Sequence, residues 1–185
     1  MKAKYIIPIV ALLAIGSAAF AVDVDGTIAP EEYAFEASYD RGNFRLLWKI
    51  SGDTLFMAID SSASGWVSVG FEPTRVMANS DMIFGMIPAE GPAQAVDAWS
   101  TGMFGPHPPD TNQGGKDSLL SFAGKRSGGR VVFEFSRLLD TGDKFDKVVP
   151  KTGEFKIIWA YGSNLSFTAK HSKAGSATLL MDGRK

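Results

Sequence analysis

The sequence predicts an all-β chain, and three observations lead there. Around nine short segments alternate apolar and polar residues or run apolar for a few positions, which is the pattern of strands. Glycines, 20 among 185 residues, break these segments at close intervals, as tight turns between strands require. Helical periodicity is slight: only residues 30–33 and 136–140 read as single helical turns. Short strands with no internal repeat and no linker fit a β-sandwich or a barrel.

Taken in order, residues 33–38 form the first candidate strand. Residues 44–51 and 54–60 flank Gly52-Asp53, a hairpin signal. Gly-Asp is a less typical turn than Asp-Gly, so a three- or four-residue loop fits equally well. In residues 65–71, Trp66, Val67, Val69 and Phe71 are separated by Ser68 and Gly70. Residues 81–87 and 94–100 read as a pair, followed by strands at 119–124, 130–135 and 154–161, with 178–181 as a last short edge strand. The segment 102–115 holds three prolines and four glycines and reads as a long loop. Such a loop either carries a site or crosses between sheets.

The ends and the composition bound the function. Lys2 and Lys4 precede an apolar stretch over residues 5–20, and Ala19-Phe20-Ala21 has the small-x-small form of a cleavage site. This is the pattern of a secretory signal peptide, residues 1–21, cut after Ala21. The stretch is shorter than the roughly 20 residues of a membrane span. The expected product is one domain over residues 22–185, secreted or extracytoplasmic, and periplasmic in a Gram-negative host. Lys and Arg total 19 against 20 Asp and Glu, a net charge of -1. That balance gives no concentrated positive field for nucleic acid. The absence of cysteine removes disulfides, thiolate metal sites, cysteine nucleophiles and covalently attached haem.

Few residues offer redox or metal chemistry. The two histidines are His107 and His171. His171 follows a strand in a polar loop, where a solvent-facing histidine is the ordinary expectation. Met77 also lies between strands, where a methionine usually plugs an apolar patch. A neutral imidazole and a thioether are nevertheless a standard pair for the two axial positions of haem iron. Asp140, Asp143 and Asp146 recur every third residue. Oxygen-rich turns of this kind can hold calcium, although Asx turns explain them as well. No phosphate loop, nucleophile elbow or convincing serine–histidine arrangement is present.

Several stretches together resemble one family. They are Leu47-Trp48-Lys49-Ile50, Gly65-Trp66-Val67-Ser68-Val69-Gly70-Phe71, Met77-Ala78-Asn79-Ser80-Asp81-Met82-Ile83-Phe84-Gly85 and Val96-Asp97-Ala98-Trp99. Leu138-Leu139-Asp140-Thr141-Gly142-Asp143, Ile158-Trp159-Ala160-Tyr161-Gly162, and His171 with Gly175 continue the series. Over residues 33–180 the chain resembles the DOMON domain, related to the haem b cytochrome domain of cellobiose dehydrogenase. The resemblance implies a two-sheet antiparallel β-sandwich with immunoglobulin-like layers. It implies a non-covalent haem b held at one end of the sandwich by axial Met77 and His171. The expected pocket walls are Trp66, Phe71, Met82, Phe84, Trp99, Met103 and Phe104. Arg75, Asn79, Lys170 and Lys173 are candidate partners of the propionates. With both axial positions filled by protein, outer-sphere transfer of one electron is expected, to or from a membrane cytochrome or a secreted oxidoreductase, and not stand-alone catalysis. Ligation by His107 with His171 and a copper site of His and Met ligands are rivals within the same residue set. Other members of the family are regarded as sugar-binding, so a haem-free carbohydrate module is the alternative of a different class.

Overall fold

In the computed structural model residues 21–183 are described, so the expected leader lies outside them save for Ala21. The strands are β1 (Phe35–Tyr39), β2 (Phe44–Ser51), β3 (Thr54–Ser61), β4 (Trp66–Phe71), β5 (Asp81–Met86), β6 (Gln94–Trp99), β7 (Leu119–Ser127), β8 (Arg130–Leu138), β9 (Glu154–Tyr161) and β10 (Lys173–Leu180). They form two five-stranded sheets, β1-β2-β3-β8-β7 and β10-β9-β4-β5-β6. Every named pairing is antiparallel. The all-β expectation holds, and the two packed layers make it a sandwich, not a barrel.

Turn chemistry sets two of the registers. Ser51 pairs with Thr54, so Gly52-Asp53 is a two-residue loop. Gly52 has φ 62°, and a glycine with positive φ at the first loop position suits a tight hairpin even though the order is Gly-Asp. Ser127 pairs with Arg130 across Gly128-Gly129, whose φ values are 59° and 77°. Positive φ at both centres matches the twist of the flanking strands.

The expected helical turn at 136–140 is corrected: residues 136–138 continue β8 against β3. Residues 30–33 make a turn and a bend without a helix; among the described residues the short 3-10 segments are Asp110–Gln113 and Asp40–Gly42, and the latter has positive φ at all three residues. The last strand begins at Lys173, five residues before the expected 178. Its Ala-Gly-Ser-Ala run has poor intrinsic strand preference, and pairing with β9 along its length supplies the order.

Between the sheets lies the main core, in which Phe44, Met57, Val69, Phe71, Ile83 and Phe133 are fully buried. The outer face of the first sheet is covered at Glu134 by the segment of residues 25–33. Glu134 Oε2 accepts from the backbone N–H of Gly26 at 2.6 Å, Thr27 at 3.1 Å and Asp25 at 3.2 Å. Its Oε1 accepts from the Tyr33 hydroxyl at 2.7 Å. Burial, and next the bond to Glu134, push the Tyr33 phenol well above its usual range. Glu134→Gln sets an amide donor against this ring of donors, and the expected cost is about 2–3 kcal/mol of stability. Urea unfolding, with faster amide exchange at residues 25–27, checks this; an unchanged midpoint would mean that the segment does not depend on the carboxylate.

The outer face of the second sheet is unusual. All six residues of β4 and all six of β5 are buried. A sandwich strand normally has one wet face. Here Trp66, Met82, Phe84, Met86 and Ala98 form a second apolar cluster on the side away from the core. That second face is where the site lies.

Candidate functional site

A groove of about 1390 Å³ opens over this face, larger than the roughly 300–1,000 Å³ of ordinary small-molecule pockets. Its floor is Trp66, Ser68 and Gly70 of β4, Met82 and Phe84 of β5, and Ile158 and Ala160 of β9. Three loops wall it, at residues 73–77, 104–109 and 167–171. The groove therefore lies on the outer face of one sheet, not between the sheets at the end of the sandwich. Small residues keep the floor low: a Cβ on Gly70 would come within 2.7 Å of Ile158.

Both expected ligands line this groove. Met77 sits on a tight loop closed by two backbone bonds, Thr74 N–H to Ala78 O and Ala78 N–H to Arg75 O, each 2.9 Å. Its neighbour Val76 has φ 53°, a left-handed conformation that a β-branched residue rarely adopts. The loop thus holds a strained backbone directly beside Met77. His171 lies on a loop anchored by Ala169 N–H to Ser166 O (3.0 Å) and Ser172 N–H to Tyr161 O (2.8 Å).

Of the expected walls, Trp66, Met82, Phe84 and Phe104 line the groove, with Phe104 on its rim and 81% exposed. Phe71, Trp99 and Met103 do not. Phe71 is five residues from Trp66, so strand alternation turns it to the opposite face, where it packs on Phe155 in the core. Trp99 pairs with Asp81, one step out of phase with Met82 and Ala98, and its ring meets Phe145. Met103 bridges to Gly105 within its own loop. Arg75 and Lys170 line the groove, whereas Asn79 and Lys173 do not. The Asn79 amide instead donates to Thr74 Oγ1 at 3.0 Å, bracing the Met77 loop.

His107 lines the same groove, its ring 6.1 Å from that of Phe84. Burial, and next the neighbouring His171, lower its pKa. His107 Nδ1 and Trp66 Nε1 are buried without a hydrogen-bond partner.

Beyond this face, at the edge of the core, is a buried acidic cluster. Ligand oxygens of Asp81, Asp97 and Asp146 lie within 4.8 Å of one another. Arg137, fully buried, donates to Asp81 Oδ2 at 2.6 Å and lies 3.6 Å from Asp146 Oδ2. The expected calcium set Asp140, Asp143 and Asp146 does not converge. Asp140 accepts from Gly142 N–H at 3.0 Å in an Asx turn. Asp143 accepts from Phe145 and Lys116 N–H at 2.9 and 2.7 Å, and Asp146 alone joins the buried cluster. Sequence reading passed over Asp81, Asp97, Asp110 and Arg137. The signal was phase: Asp81 and Asp97 stand in register with inward Ile83, and Arg137 with inward Phe133 and Phe135.

Burial first, and then mutual repulsion, push Asp97 up to about 8 and Asp110 to about 7. Burial raises Asp81 to about 6 against the pull of Arg137. An acid with a raised folded pKa keeps its proton while the unfolded chain has lost it. Stability therefore falls as pH rises from about 4 to about 8. In buffer stripped of divalent cations, unfolding midpoints should decline across that window. A flat profile would show that the cluster does not hold protons in the folded state.

Residues 40–162 match the model of the DOMON domain. Mouse DBH-like monooxygenase protein 1 is 32% identical over 120 residues, which is 65% of this chain and 18% of that protein. The chain thus spans under a fifth of that relative's length. Among solved structures, the cytochrome b domain of pyranose dehydrogenase from Coprinopsis cinerea superimposes with TM-score 0.54 at 15% identity, over 78% of this chain and 80% of that one. The cytochrome domain of Myriococcum thermophilum cellobiose dehydrogenase gives 0.50 at 12% identity, over 82% and 84%. The fold is that of cytochrome domains. The chain belongs to the DOMON domain family.

The residues present fit a haem. The groove offers a thioether, an imidazole and a flat apolar floor, with Arg75 and Lys170 as cations on its walls.

Proposed function

We propose that this chain is an extracytoplasmic b-type cytochrome, a one-electron carrier in which Met77 and His171 hold a non-covalent haem. The observation that carries the reading is that these two side chains, 94 positions apart in sequence, line one apolar groove. When bound, haem supplies a one-electron iron couple. The chain does the rest. Met77 and His171 would hold the group from two of the loops that wall the groove. The thioether, a soft donor, and the apolar floor of Trp66, Met82 and Phe84 favour the reduced state. Arg75 and Lys170 attract the carboxylates. Exposed Phe104 and Val76, 81% and 53% accessible, offer apolar contact at the rim to a redox partner, either a membrane cytochrome or a secreted oxidoreductase. No step in this role needs an acid–base pair of the chain itself.

The test is the visible spectrum of protein expressed with its own residues 1–21 in a haem-replete host. The expected result is a sharp reduced α band with near-stoichiometric, acid-extractable haem. Colourless protein despite ample haem overturns the reading and favours carbohydrate as the groove's ligand. N-terminal sequencing of the exported product should begin at Val22; a retained Lys2 would overturn cleavage after Ala21. The two imidazoles facing one groove favour bis-histidine ligation as the second reading, and near-infrared absorption of the oxidised protein separates it from thioether ligation.

A further inference from the structure

We propose that Asp81, Asp97, Asp110 and Asp146 hold a calcium ion, and that this ion fixes the loop forming one wall of the groove. The first observation is a set of buried acceptors with no donor. Oδ1 of Asp81, Asp97 and Asp146, and both oxygens of Asp110, lack a hydrogen-bond partner. Asp81 and Asp110 are 0% exposed and Asp97 4%. Buried acceptors are normally satisfied, and each one left bare is costly. The second observation is charge. Four carboxylates face one guanidinium, Arg137, which engages Asp81. Asp110 stands at the edge of the trio, because its neighbour Pro109 bridges to Ala98, the residue after Asp97.

The third observation is the kind of donor. The cluster offers only oxygen, brought from β5, β6, the 3-10 turn Asp110–Gln113 and the loop after β8. Carboxylates mounted on four separate segments suit the large and adaptable coordination shell of calcium. Magnesium demands a tighter octahedron, and metals that prefer nitrogen or sulfur find neither here.

The link to the groove is covalent. Asp110 directly follows Pro109, and Pro106, His107, Pro108 and Pro109 line the groove. Trp99 N–H already donates to Pro108 O at 3.2 Å. A cation shared by Asp110, Asp81 and Asp97 ties this loop to β5 and β6. The ion site stands independently of what the groove binds.

The experiment uses the full chain, stripped with EDTA and titrated with terbium chloride. Trp99 stands opposite Asp81 and should sensitise terbium emission. Saturable emission displaced by calcium is expected, with a rise in unfolding temperature of roughly 5–10 °C at calcium 100-fold above Kd. At pH 9, where Asp97 is ionised, Asp97→Asn removes a buried charge, so in EDTA it should unfold at a higher temperature than wild type. In calcium the order should reverse, with at least about tenfold more calcium needed for half effect. A purely structural Asp97 would give no reversal, and that result overturns the proposal. So does equal stabilisation by magnesium. Calcium should slow amide exchange over residues 104–113 in haem-free and haem-loaded protein alike; unchanged exchange overturns the tether to the groove. Colourless protein that still binds terbium and calcium upholds this site while sinking the cytochrome reading. Haem-loaded protein indifferent to calcium does the reverse.

Discussion

His171→Ala should bind haemin at least about 100-fold more weakly than wild type, measured by titration of the Soret band. The imidazole is the stronger of the two protein donors, and its loop is held by Ala169 N–H and by Ser172 N–H. Added imidazole should restore a low-spin spectrum to the variant, because the apolar floor is untouched. Met77→Ala should keep haem at about tenfold lower affinity and turn high-spin in the oxidised state, since a thioether binds iron weakly and the floor supplies most of the burial. Met103→Ala is the control: Met103 lies outside the groove lining, and its spectrum should match wild type. Unchanged spectra in both ligand variants would move ligation to His107 or remove haem from the account.

The strands were readable because alternation is a local property. β2 and β9 match their expected bounds at 44–51 and 154–161, since alternate apolar positions along each face the core. β10 was cut short because its small residues carry no apolar signal, and its order comes from its neighbour. The groove was half legible. Met77 and His171 stand out as unusual residue types in loops, and loops can be brought together by any sandwich. The walls were harder, because an apolar residue declares that it is buried without declaring on which face. Phe71 and Trp66 occupy one strand with opposite parity, and only pairing partners tell core from groove. β5 carried the clue, as a run of Met82, Ile83, Phe84, Gly85 and Met86 has no wet phase at all and needs cover on both sides. The acids were missed for the converse reason. Asp81 and Asp97 look like turn or surface residues until their phase is counted, and their partner Arg137 lies 56 positions from Asp81.

Arg137→Met tests how that buried charge is held. The side chain is 1% exposed, its guanidinium donates to Asp81 at 2.6 Å, and a second nitrogen donates to the Lys147 carbonyl at 3.2 Å. Burial alone would lower the pKa of Arg137, but the charges of Asp81 and Asp146 outweigh it and raise it, so the cation is fixed in place. Methionine fills similar space without charge and leaves the carboxylates to repel one another in a dry site. Removing one partner of a buried pair typically costs about 3–5 kcal/mol, and that is the loss expected from urea unfolding at pH 8 in EDTA. At pH 5 protons take up part of the unbalanced charge, because the aspartates are already raised, so the loss should shrink. Adding Asp81→Asn to Arg137→Met removes the worst of the stranded charges and should recover much of the stability, as apolar or neutral replacements of whole buried pairs often do. A loss of equal size at both pH values, with no recovery in the double variant, would mean that Arg137 acts through packing on Phe71, whose ring centre lies 5.8 Å from the guanidinium, and not through the aspartates.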